Sequence, residues 1–297
     1  MTAPSASPWT PDAVPGWFPE TDMRLFEWLL GWQERTNVHG DLLELGAYLG
    51  RSAILIGRHR RAEERFTVCD LFEPLPARED ARDHPELSRA AFETNYLAFH
   101  PTLPEIVQGP SASIRDHVKP GSCRFVHIDA SKVYEHVRAD LEAARELVVP
   151  EGIVVVEGYR AEETPGVARA VWDAVATGGL RPVCLTPARF YGTWGDSAPI
   201  VERLADWLAE RPDEWAYDRH LMDGRAFVRA RLTTTTQRPT LPLPTASRST
   251  PVAPAWTARK APRKRRYFRR LVKMVTARPR RSLRAAVRRA RRAWTWR

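Results

Sequence analysis

The stretch DLLELGAYLGRSAILIGRHRR, Asp41 to Arg61, changes character twice within a few residues. A short apolar strand runs into a turn carrying Gly46 and Gly50, and a helical pattern with Ala53, Ile54 and Ile56 follows. Glycines at such a junction let the backbone approach a ligand closely, and the new helix offers N–H groups without partners of their own. The next apolar run, RFTVCDLFE, ends a second strand at Asp70. That is about 20 residues past the glycine turn, the distance at which an acid meets a ribose in nucleotide-binding α/β folds.

Working outward, the alternation continues. PELSRAAFETNYLAFH predicts a helix, PEIVQG a third strand, SASIRDHV a short helix and SCRFVHIDA a fourth strand. YEHVRADLEAARELV then predicts a helix, GIVVVEGY a fifth strand and TPGVARAVWDAVATGG a helix closed by two glycines. LRPVCLTPARFYGTW supplies one or two late strands, PIVERLADWLAERP a further helix and RAFVRARL a last strand. Upstream, TDMRLFEWLLGWQERT puts Met23, Phe26, Leu29, Leu30 and Gln33 on one helical face, with Thr21 or Asp22 placed to cap it. Strands alternating with helices imply an α/β fold with a mostly parallel, doubly wound sheet covered on both sides.

The net charge of +10 hides a division. Of 46 Lys and Arg, 20 lie between Thr233 and Arg297, a stretch without Asp or Glu; the preceding residues hold the other 26 and all 36 acids. Four parts follow: a flexible N-terminal segment (1–20), a folded domain (21–232), a Pro-, Thr- and Ser-rich linker (233–262) and a basic amphipathic tail (263–297). In the tail, RRYFRRLVKMVTAR groups Tyr267, Phe268, Leu271, Val272 and Val275. SLRAAVRRARRAWTWR sets Leu283, Ala286, Val287, Ala290 and Trp294 opposite Arg288, Arg291 and Arg292. An apolar stripe beside an arginine face is the pattern of a helix on an anionic membrane surface. Nucleic acid has less use for the stripe, and no nucleic-acid module or base-targeting NPPY or DPPY motif is present. The N-terminus has no basic start or apolar run, and Cys69, Cys123 and Cys184 are widely spaced. Both features point to a cytoplasmic protein, peripheral to the inner face of the membrane through its tail.

The pieces ELGAYLGRS (44–52), CDLF around Asp70, GPSAS (109–113), HIDASKVYEHV (127–137) and PEGIVVVEGYR (150–160) together resemble the class I S-adenosylmethionine-dependent methyltransferases, and the resemblance covers most of the folded domain. It implies a Rossmann-like methyltransferase fold that binds S-adenosylmethionine through Glu44, Gly46, Tyr48, Gly50, Ser52, Asp70, Ser111 and Asp129. Glu44 would neighbour the cationic methionine moiety, Asp70 the ribose hydroxyls and Ser111 the adenine, although Pro110 replaces the aspartate that often precedes that serine.

Within the class, the segment is similar to metal-assisted O-methyltransferases and cephalosporin-hydroxylase-like proteins, in which an aspartate and a later acidic pair hold a divalent cation such as Mg²⁺. Asp129 matches the first ligand and Glu157 the second, while Gly158 stands where the third is expected. Lys132 matches a lysine that the catechol and caffeoyl-CoA branches use as general base. Read from the residues alone, it is equally a helix-start ammonium in water. The resemblance implies methylation of a small-molecule hydroxyl, with Asp129 and Lys132 catalytic. The alternative is a non-catalytic binding protein of the same fold, tethered by its tail to an anionic membrane or, less readily, to nucleic acid.

Overall fold

The computed structural model describes residues 14–73 and 87–233. The chain divides into two units, Met1–Arg238 and Pro239–Arg297, and only the first contains described residues. The expected linker beyond Thr233 and the basic tail lie outside them.

Six helices are described: α1 (Glu20–Arg35), α2 (Arg51–Arg58), α3 (Arg89–Leu97), α4 (Tyr134–Leu147), α5 (Pro165–Ala176) and α6 (Ala198–Ala209). The strands are β1 (Asp41–Leu45), β2 (Phe66–Asp70), β3 (Glu105–Gln108), β4 (Cys123–Ile128), β5 (Val148–Glu157), β6 (Arg181–Leu185), β7 (Arg189–Thr193), β8 (Trp215–Met222) and β9 (Arg225–Leu232). They form one sheet in the order β3-β2-β1-β4-β5-β7-β6-β9-β8. β1 to β5 pair in parallel, β7 runs antiparallel between β5 and β6, and a β8–β9 hairpin extends the edge. The chain moves outward from β1 to β3 and then crosses to β4 on the other side. The order therefore reverses between β1 and β4, where an open α/β sheet leaves a crevice at its strand ends.

Two-residue periodicity divides the core between the faces. In β5, Ile153 and Val155 join a cluster with residues of α1, α2, α3 and α6, whereas Val154 and Val156 join one with residues of α4 and α5. No described helix is long and apolar enough to cross a membrane. Cys69, Cys123 and Cys184 are buried and free.

Three expectations need correction. LRPVCLTPARFYGTW forms two strands, β6 and β7, as one of its two readings allowed, while β8 was missed because the charged run Asp218–His220 interrupts its apolar residues and half of its residues are exposed at this sheet edge. The packed domain begins before residue 21: Val14 and Phe18 are buried in the core. Pro19 holds the cap position of α1, and neither Thr21 nor Asp22 caps it. Asp22 instead lies on the helix face turned into the protein.

At the end of the sheet away from the crevice, Arg124 is fully buried. Its Nε and Nη2 donate to Glu64 at 2.7 and 2.9 Å, Nη1 donates to Gln33 Oε1 at 3.0 Å and Nη2 also donates to His59 O at 2.7 Å. Gln33 Nε2 returns a bond to Arg124 O, which fixes α1 against β4. Arg124→Met leaves Glu64 in the core with only the Arg61 amide (2.9 Å) and guanidinium (3.5 Å) beside it and is expected to lower unfolding free energy by about 3 kcal/mol. Arg115→Met, which opens an exposed pair with Glu146, is expected to cost no more than about 1 kcal/mol. Urea unfolding midpoints of the two variants check the difference.

Candidate cofactor and acceptor site

The strand ends at the crevice carry Glu44 on β1, Asp70 on β2, Asp129 just past β4 and Glu157 on β5. Gly46 has φ +85°, and a Cβ there would lie 2.4 Å from Asp129 O. Glycine is required because the exits of β1 and β4 touch, with Asp129 N donating to Leu45 O at 2.7 Å. Tyr48 follows with φ +51°, and Gly50 caps α2.

Glu44 is fully buried. Its Oε1 accepts from Ser52 Oγ at 2.5 Å and lies 2.7 Å from His127 Nδ1. Its Oε2 has no hydrogen-bond partner among the described residues. Asp70, expected at the ribose, holds the glycine turn in shape: Oδ2 accepts from the N–H groups of Ala47 (2.7 Å) and Tyr48 (3.0 Å), and Oδ1 from Phe72 N–H (2.7 Å). A carboxylate has about four lone-pair sites, so this acid forms the turn and keeps some acceptor capacity facing it. Ser111 begins a six-residue 3₁₀ segment (Ser111–Asp116) after β3, and α4 packs against that segment.

Asp129 and Glu157 are joined by Lys132. Lys132 Nζ donates to Asp129 Oδ1 at 2.7 Å and also to Glu157 Oε2. Arg189 Nη2 lies 3.7 Å from the other Asp129 oxygen. Burial works to raise the Asp129 carboxyl, but Lys132 and Arg189 outweigh it and hold it below the ordinary aspartate value. Burial works to lower the Lys132 ammonium, and Asp129 and Glu157 outweigh it, so its pKa is raised. Burial and then the Asp129 charge raise Glu157. Lys132 is thus not the solvated helix-start ammonium that the residues alone allowed. Its ammonium is not free in water, and its neighbours shift it away from the neutral amine that a general base requires.

Sequence reasoning missed Arg189, His127 and Asp22. Arg189, on β7 directly opposite Glu157, is almost completely buried. It donates through Nη1 to Asp22 Oδ2 (3.4 Å), through Nη2 to Trp17 O (3.1 Å) and through Nε to His127 Nε2 (3.4 Å). Arginine has only donors, so His127 Nε2 accepts and Nδ1 carries the proton given to Glu44. Asp22 Oδ1 accepts from Tyr191 Oη and Thr186 Oγ1. One signal was available: Asp22 shares the helical spacing of Phe26, Leu29 and Gln33, an acid on an apolar stripe.

The parallel sheet with its reversal at β1/β4, the glycine turn and the strand-end acids together form a Rossmann-like methyltransferase fold. Residues 43–159 match the family model of a methyltransferase domain. Solved structures to which the chain is similar include the O-methyltransferase NovP (18% identity over 59% of this chain and 79% of that one, TM-score 0.49). Others are CalS11, a TDP-rhamnose 3′-O-methyltransferase of calicheamicin biosynthesis (18%, 59% and 79%, 0.42), and a methyltransferase of Podospora anserina bound to S-adenosylhomocysteine (15%, 58% and 78%, 0.42). No curated protein matches the sequence. None of these likenesses defines an acceptor.

The site fits a cationic cofactor: a buried glutamate with one oxygen unpaired stands beside a turn whose glycines leave the backbone open. Glu44 and the Gly46–Gly50 turn would hold it, with Asp70 beneath the turn.

Because Asp129 is lowered and Lys132 raised, their pairing stabilises the fold above the ordinary aspartate value of 3.8 and below the ordinary lysine value of 10.5. It fades as pH falls through the lowered Asp129 value or rises through the raised Lys132 value. Lys132→Met leaves two carboxylates facing each other and is expected to cost about 2–3 kcal/mol at pH 7.5, below the range for a fully buried pair because both ends are partly exposed. The deficit should shrink toward pH 5 as Glu157 protonates, which thermal unfolding across pH reads directly.

Proposed function

We propose that this protein transfers a methyl group from S-adenosylmethionine to a hydroxyl oxygen of a small-molecule acceptor. The observation that carries the reading is the Asp129–Lys132–Glu157 cluster at the same strand ends as the glycine turn and Glu44. The cofactor supplies a methyl group already activated on a sulfonium, so the protein has to align the acceptor oxygen and manage its proton. Glu157, a stronger base than an ordinary carboxylate, accepts that proton. Lys132, still an ammonium, stabilises the oxygen as its negative charge develops. Asp129 holds Lys132 in place from the other side. This assigns Lys132 to charge stabilisation and the general-base role to its partner.

Calorimetric titration of S-adenosylmethionine and S-adenosylhomocysteine into the full chain is expected to give one site, weakened about tenfold or more by Asp70→Ala through collapse of the turn. Absence of binding would overturn the reading, and binding without turnover on any hydroxyl acceptor would favour the non-catalytic alternative. With an acceptor in hand, Glu157→Gln should abolish the pH-dependent step. If Lys132 were the base, the same change would remove a charge that raises its pKa and leave turnover intact or faster.

The segment 263–297 supports a second element of the proposal, attachment to an anionic membrane surface near which the enzyme meets its acceptor. Co-sedimentation with phosphatidylserine vesicles should exceed that with phosphatidylcholine vesicles, and deletion of 263–297 should erase the difference. Equal binding to both would remove this element.

A further inference from the structure

The acids that resemble a divalent-cation site already share a cation of their own. Lys132 Nζ donates to Asp129 Oδ1 and to Glu157 Oε2, so the ammonium stands at the point a bridging metal would need. The other Asp129 oxygen faces the Arg189 guanidinium at 3.7 Å. The position of the expected third ligand is Gly158, which has φ +81° and offers no donor; a Cβ built there would lie 3.7 Å from Lys132 Nζ and 3.4 Å from Thr164 Oγ1. Thr164 Oγ1 in turn donates to Gly158 O at 2.8 Å, which ties up that carbonyl. Among the described residues no group of three or more His, Cys, Asp or Glu side chains gathers to hold a metal ion. A hard divalent cation takes about six oxygens at short range, and a guanidinium beside one ligand repels it. The donor set does not fit the metal.

We infer that this site works without a divalent cation, with the Lys132 ammonium, backed by Arg189, in the metal's place between Asp129 and Glu157. Arg189, which also pairs with Asp22, faces the far oxygen of Asp129, and the Lys132 ammonium bonds both carboxylates. The ammonium does so on a tether, so it keeps a fixed position relative to the strand ends. Gly158 then has a physical reason. A carboxylate there would add another negative charge beside Asp129 and Glu157, and the φ of +81° disfavours any side chain at this position. Lys132 is what closes the site to metal, and its removal should open it.

The inference rests on the function proposed above only in taking Asp129 and Glu157 to border the reacting space, and its test does not use turnover. Mn²⁺ is titrated into the full-length protein and read by electron paramagnetic resonance, with and without S-adenosylhomocysteine. The wild type should take up no Mn²⁺, and EDTA should leave its melting temperature unchanged. Lys132→Ala and Lys132→Gln should each bind one Mn²⁺ at least about tenfold more tightly than the wild type, and Asp129→Asn in either background should abolish it. Wild-type uptake that Asp129→Asn removes would overturn the inference, as would folded Lys132 variants that bind none. Should neither variant fold, the wild-type titration still decides. A protein that binds Mn²⁺ as expected but no S-adenosylhomocysteine would sink the function and leave this inference standing.

Discussion

A guanidinium buried in a protein core has to be paired, and Arg189 is paired from several directions at once. Asp22 comes from α1, the Trp17 carbonyl from the segment before it, His127 from β4 and Asp129 from the loop after β4. The partners come from two pieces of chain far apart in sequence, the start of α1 and the end of β4. The consequence is a polar cluster between the sheet and α1 that sets where Asp129 can stand. Through His127 the same cluster reaches Glu44, whose remaining oxygen has no partner among the described residues.

The crevice therefore has two electrostatic halves with different finish. On the β4/β5 side the charges are balanced internally: Asp129 and Glu157 have Lys132 between them and Arg189 behind. On the β1/β2 side the balance is incomplete, since Glu44 Oε2 has no hydrogen-bond partner among the described residues. In the function proposed above, a cofactor carrying positive charge completes the second half and the acceptor occupies the first. Asp70 belongs to neither half. By bonding the Ala47 and Tyr48 amides it keeps the glycine turn in the left-handed shape that the crevice requires.

Strand and helix alternation was legible along the sequence because the strands that build the crevice are buried on both faces and read as unbroken apolar runs between amphipathic helices. The hairpin strand β8 was not, because the charged run Asp218–His220 interrupts its apolar residues at the exposed sheet edge. Buried Val14 and Phe18 were hidden among prolines and small residues that read as a loose leader. The site was legible in part for a similar reason. Glu44, Asp70, Asp129 and Glu157 stand at strand ends, and strand ends can be found from periodicity. Arg189, Asp22 and His127 act across the sheet, and partners separated by more than 60 residues leave no spacing to read.

The sequence by itself determined the order of strands and helices, the glycine turn and the strand-end acids, since these follow from local hydrophobic pattern and backbone freedom. It also determined the separation of an acid-rich domain from a tail holding 20 Lys or Arg. Only the tertiary structure decided what the charges do. Whether Lys132 is a free base, a solvated ammonium or an internal cation depends on its distance to Glu157, 25 residues away in sequence, and to the Arg189 side of Asp129. A pKa is set by burial and by the charges within a few ångströms, and those neighbours exist only once the sheet has closed.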